Sequence, residues 1–232
     1  MAAAPQPGFI IRRSFSRPAA ELVAKFSQFS TANLSDVMGK GNTLDYRIKS
    51  IHSPPPRLLG VALTVKARPG DNLMAMKAIE LALPGDVVMI AGGFDTNYSV
   101  WGGIMSLMAV RQRIAGVVTD GLVRDVEQIR RTGLAVYAAG LTPVGPSKDG
   151  KGQIGTTISC GGVIVHPGDI VYGDGDGVVV VPQREAEAVL ERAHQRIALE
   201  DSWMEQISHG EFSLVDSDED LRARGCRFIE EE

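Results

Sequence analysis

Apolar residues recur along this chain with two different periods, and the periods divide it into elements. After Pro18, a residue at home in a first helical turn, Leu22, Val23, Phe26 and Phe29 return at helical spacing and predict an amphipathic helix. A second short helix is expected over Leu34 to Met38, after Ser30-Thr31-Ala32 and closed by Gly39 and Gly41. Pro54-Pro55-Pro56 imposes an extended approach to a strand at Leu59 to Lys66, because proline cannot continue a helix and restricts its neighbour. The middle of the chain then alternates in type. A helix is predicted from about Asn72 to Ala82, a turn at Pro84-Gly85, a strand at Val87 to Ile90, a glycine loop, a helix through Met105 to Gln112, and a strand at Val117 to Thr119. A short helix after Asp125 and a strand at Ala135 to Ala138 complete this α/β stretch.

Beyond Gly140 the texture changes to three short β-rich runs, Val163 to Val165, Ile170 to Tyr172 and Val178 to Val181. Pro167-Gly168-Asp169 and Gly173-Asp174-Gly175-Asp176-Gly177 separate them and read as turns between antiparallel strands. A long helix from about Glu185 to Ile207 and a mobile acidic tail over about 212–232 close the chain. An arm of about residues 1–17 opens it. The expectation is one α/β domain over residues 1–232, with mixed sheets and outer helices.

Composition then narrows the classes of function. A chain of 232 residues that is 44% hydrophobic can bury one sizeable core. A formal charge of -4 argues against a nucleic-acid module held by backbone phosphates. No apolar run approaches the roughly 18 to 20 residues that span a bilayer, so neither nucleic acid nor membrane is an expected partner. Cys160 and Cys226 lie far apart without pairing or zinc spacing, which fits a reducing compartment and a cytoplasmic location. His52, His166, His194 and His209 are equally scattered. Any metal is therefore expected to be a hard ion held by oxygen, Mg2+ or Mn2+.

Two familiar spellings fail in context. Gly150-Lys151-Gly152-Gln153-Ile154-Gly155 matches a dinucleotide fingerprint, but no helix follows to face a pyrophosphate, and a flexible glycine loop is the better account. Asp174, Asp176 and Glu185 fall at the first, third and last places of a calcium loop, yet Val178 and Val179 stand where a ligand and the turn glycine belong.

The chemistry concentrates at Asp120-Gly121-Leu122-Val123-Arg124-Asp125. Val117 to Thr119 reads as a buried strand that Gly121 breaks, which delivers the polar residues at a strand exit, where open sheets place their sites. Asp125 is either a cap of the following helix or a hard-metal ligand. Arg124 is either an ion-pair partner of Glu127 or Asp120, or a planar bidentate donor. A second glycine cluster, Ala91-Gly92-Gly93-Phe94-Asp95 and then Trp101-Gly102-Gly103, precedes a helix. Glycines admit a ligand close to the backbone, and the free amides of Ile104 and Met105 at a helix start form an anion pocket. Together these groups suit a substrate with adjacent carboxylate and keto oxygens, a small 2-oxo acid.

The order of these segments resembles the class II 4-hydroxy-4-methyl-2-oxoglutarate aldolase / oxaloacetate decarboxylase family, which also contains the regulator of ribonuclease activity A. The likeness covers about residues 30–205 and rests on Ser30 to Asp36, Leu59 to Thr64, Pro84 to Val88, Asp120 to Asp125, Gly161 to Asp169 and Gly173 to Pro182. It implies a β/β/α swivelling-type fold, a homotrimer or homohexamer, and a site between subunits. It further implies that Asp125 anchors Mg2+ or Mn2+ and Arg124 holds the pyruvyl oxygens. The backbone at Gly102, Gly103, Ile104 and Met105 would bind the carboxylate, and Glu200 on the C-terminal helix of a neighbouring subunit would order water, with Glu205 as the alternative register.

The implied activity is metal-dependent lyase cleavage of a C–C bond through a pyruvate enolate, by aldol cleavage, decarboxylation or both. No lysine Schiff base is needed, which leaves Lys66, Lys77 and Lys148 solvated or structural. The sequence departs from the pattern at Gly103, where aldolases of the group commonly carry an acid; Asp95 and Asp120 are the candidates to stand in. The alternatives are a non-catalytic protein-binding regulator, or an enzyme on the same scaffold with a different substrate, suggested by Phe94, Tyr98 and Trp101.

Overall fold

The computed structural model describes residues 6–210 and 217–229. The chain opens with strand β1 (Ile10–Ile11), helix α1 (Ala20–Ala24), which tightens into a 3-10 turn at Lys25–Gln28, and helix α2 (Thr31–Val37). Next come β2 (Lys49–Ser50), β3 (Leu58–Lys66), α3 (Leu73–Leu81), β4 (Asp86–Ala91), β5 (Ser99–Trp101) and α4 (Gly103–Arg111). They are followed by β6 (Gly116–Thr119), β7 (Leu122–Val123), α5 (Val126–Thr132), β8 (Ala135–Ala138) and β9 (Gly140–Leu141). The last stretch holds β10 (Gln153–Ile154), β11 (Ile158–Cys160), β12 (Val163–Val165), β13 (Ile170–Gly173), β14 (Val178–Val181), α6 (Ala186–Ser208) and α7 (Asp218–Ala223).

Four strands, β3, β4, β6 and β8, pair in parallel in that order and form the centre of the main sheet. Helices α3, α4 and α5 make the three connections between them, so every central strand ends at the same edge. The nine-residue β3 divides its other side between two antiparallel partners, β13 along Leu58 to Val61 and β10 at Val65 and Lys66. Both faces of the centre are covered. Val88 and Ile90 of β4 face one core with Met74, Ala78 and Ile129 of the helices, while Val87, Met89 and Ala91 face a second core with Cys160, Val165 and Val180. Burial on both faces is why these strands read as continuous apolar runs and not as alternating ones.

Local chemistry sets several boundaries. Ser30 caps α2, its Oγ accepting from Asn33 N at 3.1 Å while Asn33 Oδ1 accepts from Ser30 N at 3.2 Å, so the helix starts earlier than its apolar residues suggest. The Gly173 to Gly177 separator is the β13–β14 hairpin. Pro167-Gly168-Asp169 is not a hairpin turn: β12 pairs with β11, because β13 already has β3 on one side and β14 on the other. The glycines at 152 and 155 are required for close packing, not for flexibility. A Cβ on Gly152 would lie 2.2 Å from Lys66 O, and one on Gly155 2.4 Å from Arg12 O.

By its internal contacts the chain forms two compact units, Met1–Ala193 and His194–Glu232. The first contains all the sheets and both cores. In the second, α6 continues to Ser208, and α7 is capped by Ser217 and Asp220 in a reciprocal box. The tail thus has a helix within its described part, while 211–216 and 230–232 lie outside the described residues, as do 1–5 of the expected arm. The rest of that arm is tied down: Ile10 and Ile11 pair with β10, and Arg17 forms an ion pair with the buried Asp86.

One close approach tests the packing of β3. A Cβ on Gly60 would lie 2.3 Å from the backbone oxygen of Gly85 and 2.9 Å from Val87 Cγ2. Gly60→Ala is expected to lower stability by about 1–3 kcal/mol, read as a lower urea midpoint at unchanged slope.

Candidate functional site

The candidate site is assembled by a second, smaller sheet. Three of the four central strands, on leaving the main sheet, each add one short strand to it: β4 is followed by β5, β6 by β7 and β8 by β9, and these three pair in parallel. Arg124 N donates to Trp101 O at 3.0 Å, Thr142 N to Val123 O at 3.0 Å and Ser99 N to Val144 O at 2.9 Å. Three loops distant in sequence are thereby brought to one edge. A cavity of about 300 Å3 opens there, and Gly102, Ile104, Met105, Arg124 and Asp125 all line it.

Asp125 occupies the position before α5 with φ 59° and ψ 40°, left-handed values uncommon outside glycine but tolerated by aspartate. It makes no side-chain cap, so the helix-capping reading is corrected. The turn instead throws the carboxylate across to α4, where Oδ2 accepts from Gly103 N at 3.2 Å. Among the described residues Oδ1 has no hydrogen-bond partner, and the side chain is 43% exposed. Gly102 leaves the room for this, since a Cβ there would lie 2.9 Å from Asp125 Oδ2.

Arg124 Nε lies 3.6 Å from the same Oδ2, too long for a good hydrogen bond. Its guanidinium rests on the backbone of Gly145, where a Cβ would come within 2.5 Å of Nη1. Neither expected ion-pair partner is used, because Glu127 pairs with Arg130 at 3.2 Å and Asp120 is turned elsewhere. Among the described residues no acceptor reaches the Nη atoms, and none reaches the amides of Ile104 and Met105. Those amides stand at the positive end of α4.

The two residues considered as stand-ins at Gly103 do not line the cavity. Asp120, 3% exposed, accepts from Gly92 N at 2.6 Å, Gly93 N at 3.2 Å and Gly161 N at 3.3 Å. Burial raises its pKa, against the pull of those amides, and its role here is to bolt two glycine loops together. Asp95 accepts from Asn97 N at 2.9 Å in its own loop. The space above Gly103 is filled from α5 by Gln128. Glu200 lies on α6 in the second unit, accepting from Arg196 Nε at 2.8 Å.

Among the cavity-wall residues to which sequence reasoning gave no role in the site are Asn72, read as a helix start, and Lys148, read as solvated or structural. Asn72 is 6% exposed; its Nδ2 approaches Met105 Sδ at 3.3 Å, while its Oδ1 is buried without a partner among the described residues. The neighbouring Asp71 carries the loop that holds Lys148. Its carboxylate accepts from Ser147 Oγ at 2.6 Å, Asp149 N at 2.9 Å, Gly150 N at 2.7 Å and Leu73 N at 2.8 Å. Burial opposes ionisation of Asp71, but these donors outweigh it and hold the pKa below the usual value. An Asp-Asn pair before a helix reads as an ordinary start signal, and no spacing rule links it to a loop more than seventy residues on.

Among the described residues no group of three or more His, Cys, Asp or Glu gathers to hold a metal. The donor set suits a hard ion that keeps most of its water and takes one carboxylate oxygen, as Mg2+ does, and it does not suit a closed zinc site.

A family model described as RraA-like, Aldolase/RraA, matches residues 31–180, and the chain belongs to that family. Its mixed sheets and outer helices are the β/β/α swivelling-type architecture expected from the sequence. A Halalkalibacterium halodurans protein named "Putative 4-hydroxy-4-methyl-2-oxoglutarate aldolase" is 34% identical over 81% of this chain and 89% of its own. A Thermus thermophilus protein named 4-hydroxy-4-methyl-2-oxoglutarate aldolase is 31% identical over 66% of this chain and 92% of its own. The crystal structure of a Streptomyces coelicolor protein, described as an unusual member of the RNase ES inhibitor RraA protein family, aligns with TM-score 0.74. It is 25% identical and covers 81% of this chain and 98% of its own.

The Asp71 clamp gives a signed prediction. A carboxylate with a lowered folded pKa contributes stability above its unfolded value, near 4, and loses it as pH falls through the folded value. Asp71→Asn should cost about 1–3 kcal/mol at neutral pH, and thermal melts of variant and wild type should converge as pH drops below about 4.

Proposed function

We propose that this protein is a divalent-metal-dependent carbon–carbon lyase acting on a small 2-oxo acid. One observation carries the reading. The two Nη atoms of Arg124, Oδ1 of Asp125 and the amides of Ile104 and Met105 share one cavity and have no hydrogen-bond partner among the described residues, while Arg124 Nε and Asp125 Oδ2 form a loose ion pair at 3.6 Å. These are the groups that a carboxylate beside a keto oxygen needs. Relatives named as aldolases acting on 4-hydroxy-4-methyl-2-oxoglutarate support the reaction class.

In this reading the amides of Ile104 and Met105 hold the substrate carboxylate, with Gly102 and Gly103 giving it access to the backbone. Arg124 orients the keto group and stabilises the negative charge that builds on its oxygen as the C–C bond breaks. Asp125 holds Mg2+ or Mn2+, which supplies Lewis acidity when bound. Lys148 adds positive charge to the wall, suited to a second carboxylate, and Asn72 offers its unpaired Oδ1 to a hydroxyl. Glu200 serves the site of a neighbouring subunit, where it orders water.

That arrangement requires a homotrimer or homohexamer. Ile104 at 72% and Leu107 at 52% exposure, with Met108 beside them, make an uncovered apolar stripe on α4 at the rim of the cavity. The free thiols, Cys160 buried and Cys226 exposed, fit a cytoplasmic setting. No described helix is long and apolar enough to cross a membrane.

Pyruvate release from oxaloacetate and from 4-hydroxy-4-methyl-2-oxoglutarate, with Mg2+ or Mn2+ and with chelator, tests the reading. Chelator is expected to abolish turnover, and Arg124→Ala and Asp125→Ala each to lower kcat/KM by about a hundredfold or more. Turnover that ignores both chelator and substitutions would sink the mechanism; ribonuclease binding without any turnover would favour a regulator. Light scattering should give three or six times the mass of one chain, and Leu107→Asp should reduce it to that of one.

A further inference from the structure

Asp125 and Gln128 stand three residues apart at the start of α5, so they share one face of it. Both reach the first residue of α4. Asp125 Oδ2 accepts from Gly103 N at 3.2 Å, and a Cβ on Gly103 would lie 2.1 Å from Gln128 Oε1 and 2.4 Å from its Cδ. A carboxylate and a carboxamide therefore flank a single glycine, and the missing side chain at 103 is what admits the carboxamide. Gln128 is exposed, fills no core, and its amide has no hydrogen-bond partner among the described residues. It can donate and accept hydrogen bonds, but it neither takes up nor releases a proton at ordinary pH.

We propose that Gln128 decides which bond this site breaks, favouring decarboxylation of a 2-oxo acid with a carboxylate on C3 over aldol cleavage of a 4-hydroxy-2-oxo acid. This rests on the lyase reading above. In decarboxylation the C3–C4 electron pair passes to C3 and the keto oxygen as CO2 leaves, and C3 then takes a proton from solvent. No side chain has to remove a proton before the bond breaks. In aldol cleavage the C4 hydroxyl must give its proton to a base while the same bond breaks, yielding the pyruvate enolate and a second carbonyl compound. The group beside Asp125 over Gly103 supplies a hydrogen bond and no base. Among the described residues, the other ionisable side chains with which the chain itself lines the cavity are the cations Arg124 and Lys148, and the proposed role of a neighbouring subunit's Glu200 is to order water.

The test compares wild type, Gln128→Glu and Gln128→Ala, each loaded with Mn2+, on oxaloacetate and 4-hydroxy-4-methyl-2-oxoglutarate, with enzyme-free rates subtracted and pH varied from mildly acidic to mildly alkaline. Wild type should show the higher kcat/KM on oxaloacetate. Gln128→Glu should raise cleavage relative to decarboxylation by about tenfold or more, a threshold set below the roughly hundredfold or more that a well-positioned base gives. It should also add an acidic limb to the pH profile of cleavage that Gln128→Ala lacks. A wild type that cleaves at least as well as it decarboxylates, or a Gln128→Glu ratio and pH profile like those of wild type, overturns the role of Gln128 alone. No pyruvate from either substrate in any form overturns the lyase reading and this role with it.

Discussion

The parallel pairing of β4, β6 and β8 is the constraint on which the site depends, because parallel strands joined by helices must all end at one edge. Each chain exit there pairs again, as β5, β7 and β9, and the hydrogen bond from Arg124 N to Trp101 O fixes the register of two exits. The second sheet is small, but its Val100, Trp101 and Val123 are buried in the core that covers one face of the first, so the two sheets are packed together as well as joined by the chain.

Upon that frame, two local devices aim the side chains. The left-handed turn at Asp125 turns a carboxylate that would otherwise cap α5 toward α4, at a backbone cost of about 1–3 kcal/mol that the surrounding pairing sustains. Asp71 does the complementary work on the opposite wall, taking four donors to hold the loop that backs Arg124 through Gly145 and carries Lys148. A charged acceptor suits this task because hydrogen bonds to it are stronger than neutral ones. The cavity between these devices is positive at one end of α4, which is the electrostatics a small anion requires.

Membership of the RraA-like family ties this frame to a relative named as an aldolase and to one described as an unusual member of an RNase inhibitor family. A shared fold does not choose between such roles. The lyase proposal rests instead on the cavity, where the Nη atoms of Arg124, Oδ1 of Asp125 and the amides of Ile104 and Met105 have no hydrogen-bond partner among the described residues.

The period of the apolar residues was enough to locate β3, β4, β6, β8 and the helices between them, because long elements with buried faces leave a pattern in any one sequence. The glycines before α4 and the Arg124-Asp125 pair were equally legible, since strand exits and helix starts have their own spelling. The two-residue strands β7, β9 and β10 were not, for they are too short to show a period and exist only by pairing. For the same reason the sequence could name Asp120 as a site residue but not see its carboxylate spent on Gly92, Gly93 and Gly161. Asn72 and Lys148 reach the cavity, and Gln128 reaches Gly103, through contacts across the fold. The chain by itself marked Arg124, Asp125 and the glycines before α4 as candidates for binding a small oxo acid. Tertiary structure decided which of them meet, because hydrogen bonds and close approaches between distant segments follow from packing and have no period to read.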